Sequence, residues 1–387
     1  MLGDGTDVSV MAAVYCPIVV CDEQSVHLPQ PKRVSSDDPS EGCRAESHSG
    51  SRTIMTASER LAPAVRRGLR FLNDHQLPYG EFRTYASPST RMVVTSLDSS
   101  VFVTTFVLHC IARIDSPFVT TMTEKAISFL REELKGPGLF QYYTSKNTNS
   151  IGYDLDDTSC ASVALQQSHP LVIDGRNIEY FIENRNEAGL FYTWVGGAAV
   201  ENDVDSIVNA NVVFYLGDRD ETRSACRYLI DTIESNRESD SYRHYLDDMT
   251  LYYAVSRAYA QGTSSLGEAR EGIIEKILRR GRDDGSFGDV LATACAVCSL
   301  ANFRYDGVAR LRDAARYLQE QQSANGSWRR MAMYFQPGRY YGSEELTTGL
   351  CIEALTHVAG MYGETETRAE VEPVFPGEQS ASKVRLQ

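Results

Sequence analysis

Hydrophobic and polar positions follow a pattern along this chain that returns six times between Leu61 and about residue 360. Each unit opens with a stretch whose apolar residues recur at helical spacing on one face, and this stretch ends in a pair of large apolar residues. The pairs are Phe71-Leu72, Phe129-Leu130, Phe181-Ile182, Tyr228-Leu229, Ile277-Leu278 and Tyr317-Leu318. Successive pairs are 58, 52, 47, 49 and 40 residues apart, which suits two helices and two loops per unit.

A second helical stretch in every unit is apolar nearly all round, and a helix without a polar face belongs in the interior. These stretches are residues 101–111, 161–165, 208–216, 251–259, 291–300 and 346–355. Six hairpins, each with an amphipathic outer helix and an apolar inner helix, close naturally into a barrel. An open solenoid is disfavoured, because such arrays expose one side of every helix. The pattern therefore predicts an all-α fold, an (α/α)6 barrel built from six helical hairpins.

The two ends of the chain lack this periodicity. Residues 1–54 are polar, rich in Ser and Pro and low in apolar content, so we expect a disordered leader. Residues 363–387, rich in Glu, Pro and Ser, are expected to form a disordered tail. The predicted barrel domain therefore covers residues 55–362.

Composition narrows the possible partners and compartments. A chain of 387 residues with 42% hydrophobic content can bury a large core. The net charge of −14 argues against nucleic acid and anionic membrane surfaces as partners, and no apolar run is long enough to span a bilayer. Nine scattered cysteines, several within apolar helical stretches, indicate buried thiols in a reducing compartment. We expect a cytoplasmic protein, and the sequence does not predict its oligomeric state.

One predicted inner helix begins with an unusual cluster of acids, Tyr153-Asp154-Leu155-Asp156-Asp157-Thr158-Ser159. If this helix starts near Thr158, the acids lie at the positive end of its dipole. Every predicted inner helix starts with an acid near Ser or Thr, so helix capping explains any single acid. The full Asp-x-Asp-Asp-Thr pattern occurs in only one of the six units, however, and this excess favours a function over capping.

Short connectors between the two helices of a unit carry a second motif. In five units Gly is followed two positions later by an aromatic residue: Gly80-Glu81-Phe82, Gly138-Leu139-Phe140, Gly189-Leu190-Phe191, Gly285-Ser286-Phe287 and Gly326-Ser327-Trp328. The first and last also have Gln four positions before the Gly, and they resemble the QW repeat of the triterpene cyclases. Together with the acid cluster, the chain resembles the class II terpene cyclases of the squalene–hopene cyclase superfamily.

This resemblance implies a reaction and roles for the acids. Asp156, the middle acid, would protonate an alkene of a linear isoprenoid, while Asp154 and Asp157 hold its geometry and help to keep it protonated. Protonation needs no cofactor, although Mg²⁺ is expected if the substrate is a prenyl diphosphate. Family members that cyclise usually carry a second barrel, whereas this chain contains one.

Further candidates lie near the same end of the predicted inner helices. Aromatic faces stabilise carbocations, and Phe102, Trp194, Tyr252 and Tyr341 are candidate walls of a substrate site, with core packing as the alternative for each. Asp205 and Asn209 are four residues apart on one face of an apolar helix and need polar partners. They either face the cavity and orient Asp156, or satisfy a neighbouring helix.

Two other functions remain open. A protein prenyltransferase β subunit shares the barrel and QW-like repeats, and it binds zinc through an Asp-x-Cys pair and a His. Cys295, Cys298 and His357 are candidate ligands here, but no Asp-x-Cys is present, so the metal assignment stays open. The other alternative is a barrel that binds a prenyl chain or a partner helix without chemistry.

Overall fold

The computed structural model describes residues 57–168, 175–197 and 202–371, and the side chains of 61–167, 175–197 and 202–361. The expected leader and the tail beyond residue 371 lie outside these ranges. The described chain is predominantly helical. Its helices are α1 (Ala57–His75), α2 (Phe102–Ile111), α3 (Pro117–Glu133), α4 (Leu155–Ser168), α5 (Ile178–Glu183), α6 (Ser206–Leu216), α7 (Arg223–Glu234), α8 (Glu238–Ser241), α9 (Asp248–Ala260), α10 (Arg270–Arg279), α11 (Val290–Asn302), α12 (Val308–Glu320) and α13 (Glu344–Val371).

An inner layer contains the six all-apolar segments predicted from the sequence. They lie in α2, α4, α6, α9, α11 and α13. Each of these helices packs on the next, and α13 packs back on α2, so the six form a closed ring. Every residue of α6 and of α11 is buried, as expected for helices with neighbours on all sides.

The amphipathic helices lie outside the ring. In α7, for example, Leu229 and Ile230 are buried, while Arg223 and Arg227 of the same helix are exposed. The six predicted apolar pairs lie on or directly beside this set of helices, namely α1, α3, α5, α7, α10 and α12. Burial of one apolar face therefore attaches each of them to the ring.

The Gly-x-aromatic connectors all make the same two contacts. The aromatic residue is fully buried, and its backbone N–H donates to a side chain near the start of the inner helix of its own unit. The five pairs are Phe82 with Thr104, Phe140 with Thr158, Phe191 with Asn209, Phe287 with Thr293 and Trp328 with Thr348, at 2.9–3.0 Å. The glycine in each connector has a positive φ. Thr158 of the acid cluster is therefore a structural residue shared with the other units.

The two connectors with the additional Gln also reach the neighbouring outer helix. Gln76 Nε2 donates to the carbonyl oxygens of Gly80 and of Met122 on α3, and Gln322 Nε2 donates to those of Gly326 and of Ala64 on α1. The second contact joins the last unit of the chain to the first. The QW-like motifs thus fix successive units to one another.

A small antiparallel sheet, not anticipated from the sequence, lies beside the N-termini of α2 and α13. It has the order β2-β1-β4-β3, with strands β1 (Tyr85–Ser87), β2 (Ser96–Leu97), β3 (Tyr334–Gln336) and β4 (Arg339–Gly342). Pairs such as Ala86 with Tyr341 join the first and last units of the chain. The strands are too short to produce a recognisable period-2 pattern.

Two helix boundaries differ from the sequence-based expectation. Helix α4 begins at Leu155 rather than near Thr158, because the Asp154 side chain caps it at that point. Helix α13 continues to Val371, beyond the domain end expected at 362. Residues 364–371 contain neither Gly nor Pro, so a helix already anchored by packing can propagate through them.

Candidate active site

The acid cluster lies at the N-terminus of α4, one of the ring helices. Asp154 immediately precedes the helix, and its Oδ1 accepts a 2.7 Å hydrogen bond from the backbone N–H of Asp157. This is N-cap geometry. Asp154 Oδ2 and Asp157 Oδ1 are buried without a hydrogen-bond partner among the described residues. Capping thus accounts for one oxygen of one acid and leaves the rest of the cluster to be explained.

Asp156 lies in the first turn of α4 and differs from its neighbours in its partners. Its Oδ1 accepts a hydrogen bond from the Asn211 amide of α6, and its Oδ2 accepts one from the Tyr245 hydroxyl, in the loop before α9. Asn211 in turn accepts a 2.6 Å hydrogen bond from Arg257 on α9. Three ring helices therefore contribute to holding this one carboxyl group.

The electrostatics of the cluster favour protonated acids. Burial raises the pKa of Asp154 to about 7, and its hydrogen bond from Asp157 only partly offsets this. Burial also raises the pKa of Asp156, against hydrogen bonds from Tyr245 and Asn211 that lower it. Burial and the charges of Asp154 and Asp156 raise the pKa of Asp157 well above its ordinary value. Acids that share a dry site retain protons that isolated surface acids would lose.

Asp205 fixes the loop that carries Tyr245. Its Oδ1 caps α6 by accepting from the N–H groups of Ile207 and Val208, at 2.7 and 3.2 Å. Its Oδ2 accepts from the backbone N–H groups of Arg243 and His244, at 2.5 and 3.1 Å. One buried carboxyl group thus ties the start of α6 to the loop before α9. Asp205 thus holds the loop that carries Tyr245, whose hydroxyl donates to Asp156 Oδ2.

His244 occupies the same loop and has an acidic partner. Its Nε2 lies 3.0 Å from Asp203 Oδ2. Burial lowers the pKa of His244, but the hydrogen bond and charge of Asp203 outweigh this and the pKa is raised overall. His244 therefore lines the site beside the three acids, with Asp203 as its titratable partner.

A pocket opens at the acid cluster. It is lined by Phe102, Tyr142, Asp154, Asp156, Asp157, Thr193, Trp194, Val208, His244, Tyr245, Tyr334, Phe335 and Gln336. The walls are largely aromatic, as the sequence predicted for this end of the inner helices. The cavity volume is only about 50 Å³, which is room for a few water molecules. A linear isoprenoid can therefore enter only if the pocket widens.

The structure separates the predicted wall residues. Phe102 and Trp194 line the pocket together with the three acids. Tyr341 stands behind the wall, stacked on Tyr334 with ring centroids 5.4 Å apart. Tyr252 points elsewhere and donates to Glu238 of α8 at 3.0 Å. Tyr252 is not among the residues that line the pocket, because its side chain lies on the face of α9 that packs against that short helix.

Asn209 is also not a pocket residue. Its amide accepts from the backbone N–H of Phe191 and donates to the Phe191 carbonyl, each at 3.0 Å. This is the contact that Thr makes in four other units. The sequence left open a contact with Asp156 or with a neighbouring helix, and Asn209 instead satisfies the connector loop of its own unit.

Several residues of the site were missed in the sequence. Asn211 and Arg257 interrupt apolar helical runs, and a polar side chain in such a run needs a buried partner, so this signal was available. Tyr245 precedes an inner helix at the acid end and could have been included for that reason. The β3 residues Tyr334 and Phe335 gave no local signal, because only the closure of the chain brings them to α4.

The zinc candidates do not converge. Cys295 and Cys298 are buried on α11, and His357 Nε2 lies 3.6 Å from Glu353 on α13. Among the described residues there is no group of three or more His, Cys, Asp or Glu side chains placed to hold a metal ion. In the same residues no helix is long and apolar enough to cross a membrane.

No protein-family model matches the sequence, and no curated protein is significantly similar to it. Solved structures do resemble this chain. The type II terpene cyclase MstE from Scytonema in its apo form gives a TM-score of 0.62 at 18% identity, over 79% of this chain and 99% of that one. A variant in complex with the substrate geranylgeranyl dihydroxybenzoate gives 0.61 at 17% identity over the same shares. Another, with the product merosterolic acid A, gives 0.60 at 16% identity, again over 79% and 99%. The terpene cyclase fold predicted from the repeats is thereby confirmed.

Proposed function

We propose that this protein is a class II terpene cyclase in which Asp156 protonates an alkene of a linear isoprenoid. The observation that carries the proposal is the setting of Asp156 in a largely aromatic pocket, between two donors and two further acids. A cap needs none of these features. The fold shared with MstE, whose substrate complex contains a geranylgeranyl chain, supports the same reaction class.

The proposed chemistry follows from the surroundings of the acid. The O–H bond of Asp156 breaks, its proton forms a C–H bond with the π electrons of the alkene, and a carbocation results. Later alkenes of the chain attack this cation and close rings, and loss of a proton to water ends the sequence. Tyr245 and Asn211 stabilise the carboxylate left on Asp156, as does the N-terminus of α4.

The pocket walls suit the cationic stage. The ring centroids of Phe102 and Tyr334 lie 4.5 Å apart with the ring planes tilted by 56°, and that of Tyr142 lies 6.0 Å from that of Tyr334. Aromatic faces attract cations without forming bonds to them, and a dry wall keeps water from quenching them early. We propose that Trp194 completes this wall when the pocket widens around a substrate.

We also propose that the inner ring and its outer helices form an (α/α)6 barrel of six hairpins, within a domain of residues 55–362. The closed ring of six helices and the five repeated connector contacts support this architecture. The partner is a small-molecule isoprenoid. Mg²⁺ is needed only if the substrate carries a diphosphate group, and the metal would then bind together with that group. The six cysteines among the described residues are free and buried, which supports the predicted cytoplasmic location.

A specific observation favours one alternative, a barrel that binds a prenyl chain without turnover. The cavity is small, and Asp154 serves as an ordinary cap. In this alternative the remaining acids only maintain the N-terminus of α4.

Turnover in D2O distinguishes the two functions. The protein is incubated with geranylgeranyl dihydroxybenzoate, geranylgeranyl diphosphate, farnesyl diphosphate and squalene, each with and without Mg²⁺. A protonation-initiated cyclase gives a cyclic product with one deuterium from solvent at the initiating carbon. Binding of an isoprenoid with no cyclic product from any of the four would contradict the cyclase and favour the binding barrel.

A further inference from the structure

Arg257 is an unusual residue for the middle of this fold. Within the part of the chain that the structure describes, it is the only buried Arg or Lys, with 3% of its surface exposed. Three rings surround its guanidinium: Phe106 at 4.6 Å, Phe214 at 4.7 Å and Tyr253 at 5.3 Å from ring centroid to Cζ. Removing a cation from water is costly unless the cation is paired and hydrogen-bonded, and contacts with aromatic faces offset only part of this cost.

The hydrogen bonds of Arg257 lead towards the acid cluster. Its Nη2 donates to Asn211 Oδ1 at 2.6 Å and to Cys160 Sγ at 3.5 Å. Cys160 belongs to α4, one turn after Asp156. Both acceptors are neutral groups, so neither neutralises the positive charge of Arg257. This charge therefore lies behind Asn211, near Asp156 but not in a direct ion pair with it.

The chemistry of the two side chains fixes the direction of the Asn211 amide. A guanidinium only donates hydrogen bonds, so it must meet the oxygen of Asn211. The NH₂ group of Asn211 is then left to donate to Asp156 Oδ1. Without Arg257 the amide could turn over and present its oxygen instead, which would favour the protonated acid over the carboxylate.

We propose that Arg257 is a positioning residue that sets the acid strength of Asp156 by locking the Asn211 amide and by supplying a buried positive charge behind it. The role rests on the proposed function, since it concerns the carboxylate that forms when Asp156 gives up its proton. That carboxylate arises beside two other buried acids, where an uncompensated negative charge is expensive. The hydrogen-bonded relay Arg257–Asn211–Asp156 offsets this cost when Asp156 transfers its proton and becomes a carboxylate.

Other titratable groups act on the same acid and must be held constant in a test. Asp154, Asp157 and Cys160 lie on or beside α4, Asp203 and Asp205 precede α6, His244 and Tyr245 precede α9, and Tyr334 lies on β3. Around Arg257 itself lie Tyr253 of α9 and His109 of α2, with Glu353 of α13 hydrogen-bonded to Tyr253. None of these residues is itself replaced in the variants of Arg257 and Asn211.

The test uses the full chain and needs no substrate. The C=O stretch of the protonated Asp156 carboxyl group is followed by infrared spectroscopy against pH and assigned by its loss in Asp156→Asn. Arg257→Met and Arg257→Gln remove the charge, Arg257→Lys keeps it, and Asn211→Leu removes the relay. We expect the midpoint to rise by roughly one pH unit in Arg257→Met and in Asn211→Leu. It should rise less in Arg257→Gln, which keeps a donor for Asn211, and in Arg257→Lys, which keeps the charge.

The proposal is overturned if the Asp156 midpoint is unchanged in the neutral Arg257 variants. It is also overturned if the midpoint rises in Asn211→Leu alone, because Asn211 would then act on Asp156 without Arg257. Thermal unfolding shows which variants are folded. If Arg257→Met does not fold, Arg257→Gln, which retains a donor for Asn211, carries the comparison.

Turnover gives a second signature if one of the four isoprenoids is a substrate. A weaker acid that stays protonated to higher pH predicts a kcat that is lower in Arg257→Gln by up to roughly 10-fold, with the high-pH limb of the kcat/KM profile moved to higher pH. A purely structural role lowers the rate without moving the limb, and that result overturns the proposal. Absence of turnover in the unmodified protein counts against the cyclase function, while the infrared midpoints still decide the role of Arg257.

Discussion

Three neighbouring carboxyl groups at the start of α4 differ in function because their surroundings differ. Asp154 caps the helix, Asp156 faces the pocket between two donors, and Asp157 keeps a buried oxygen without a partner among the described residues. The sequence showed that this cluster was unusual among six equivalent positions. It could not show which acid had which partners, because Asn211 and Tyr245 come from other units of the chain.

Asp154 should make stability depend on pH. Burial raises its pKa from 3.8 to about 7 in the folded protein, so the folded state holds a proton that the unfolded chain loses above about pH 4. Its stabilising contribution is therefore fully present below that pH and is lost as pH rises through about 7. Asp154→Asn keeps the capping oxygen and removes the titration.

Urea unfolding of both proteins at about pH 5 and pH 8 measures this effect. We expect Asp154→Asn to gain stability relative to the unmodified protein on going from the lower to the higher pH. A difference in unfolding free energy that is the same at both pH values would show that Asp154 ionises normally.

At the scale of secondary-structure elements, acids cap four inner helices. Besides Asp154 on α4, the three other capping acids make different numbers of contacts. Asp289 accepts from one backbone N–H at the start of α11, and Asp247 from one at the start of α9. Asp205 accepts from four, two in α6 and two in the loop that carries His244 and Tyr245. At the first inner helix, Asp98 does not cap α2 and instead accepts a 2.6 Å bond from Asn147.

This difference predicts unequal costs for the same substitution. Asp289→Ala should cost about 1 kcal/mol, the usual value for a lost cap. Asp205→Ala should cost about 3 kcal/mol, because it also leaves two loop N–H groups buried without an acceptor. Equal free energies of unfolding for the two variants, measured in urea, would contradict a bridging role for Asp205.

The elements themselves could be predicted where burial dictates the pattern. Helices such as α6 and α11 are apolar on all faces because all faces are buried, so the sequence shows both their existence and their place. Boundaries set by single contacts were less visible. The cap from Asp154 moved the start of α4, and the sheet of β1 to β4 depends on pairing between residues such as Ala86 and Tyr341, far apart in the chain.

At the scale of the whole molecule, the first and last units must meet for the ring to close. Gly326, with φ of +91°, lies so close to α1 that an added Cβ would be 2.4 Å from the carbonyl oxygen of Arg67. Gly338 also has a positive φ, of +79°, but an added Cβ there meets nothing within 4 Å. The two glycines thus share a left-handed backbone, which would be strained in any other residue, and differ in the contact at the closure.

Gly326→Ala should therefore destabilise the protein well beyond Gly338→Ala. The control should lose about 1 kcal/mol through the left-handed backbone alone, while Gly326→Ala must also separate the last unit from α1. Thermal and urea unfolding of the pair measure the difference. Similar losses in both variants would mean that the closure at α1 tolerates a larger spacing.

The central claim is that Asp156 transfers a proton to an isoprenoid, and one comparison tests it directly. Deuterium incorporation from D2O into cyclic product is measured for the unmodified protein, for Asp156→Asn, and for Asp289→Asn as a matched control at the start of another inner helix. We predict that Asp156→Asn remains folded and forms no deuterated cyclic product, while Asp289→Asn retains full turnover, because Asn also caps a helix. Full turnover in Asp156→Asn, or equal loss in both variants, would contradict the assignment of Asp156 as the acid.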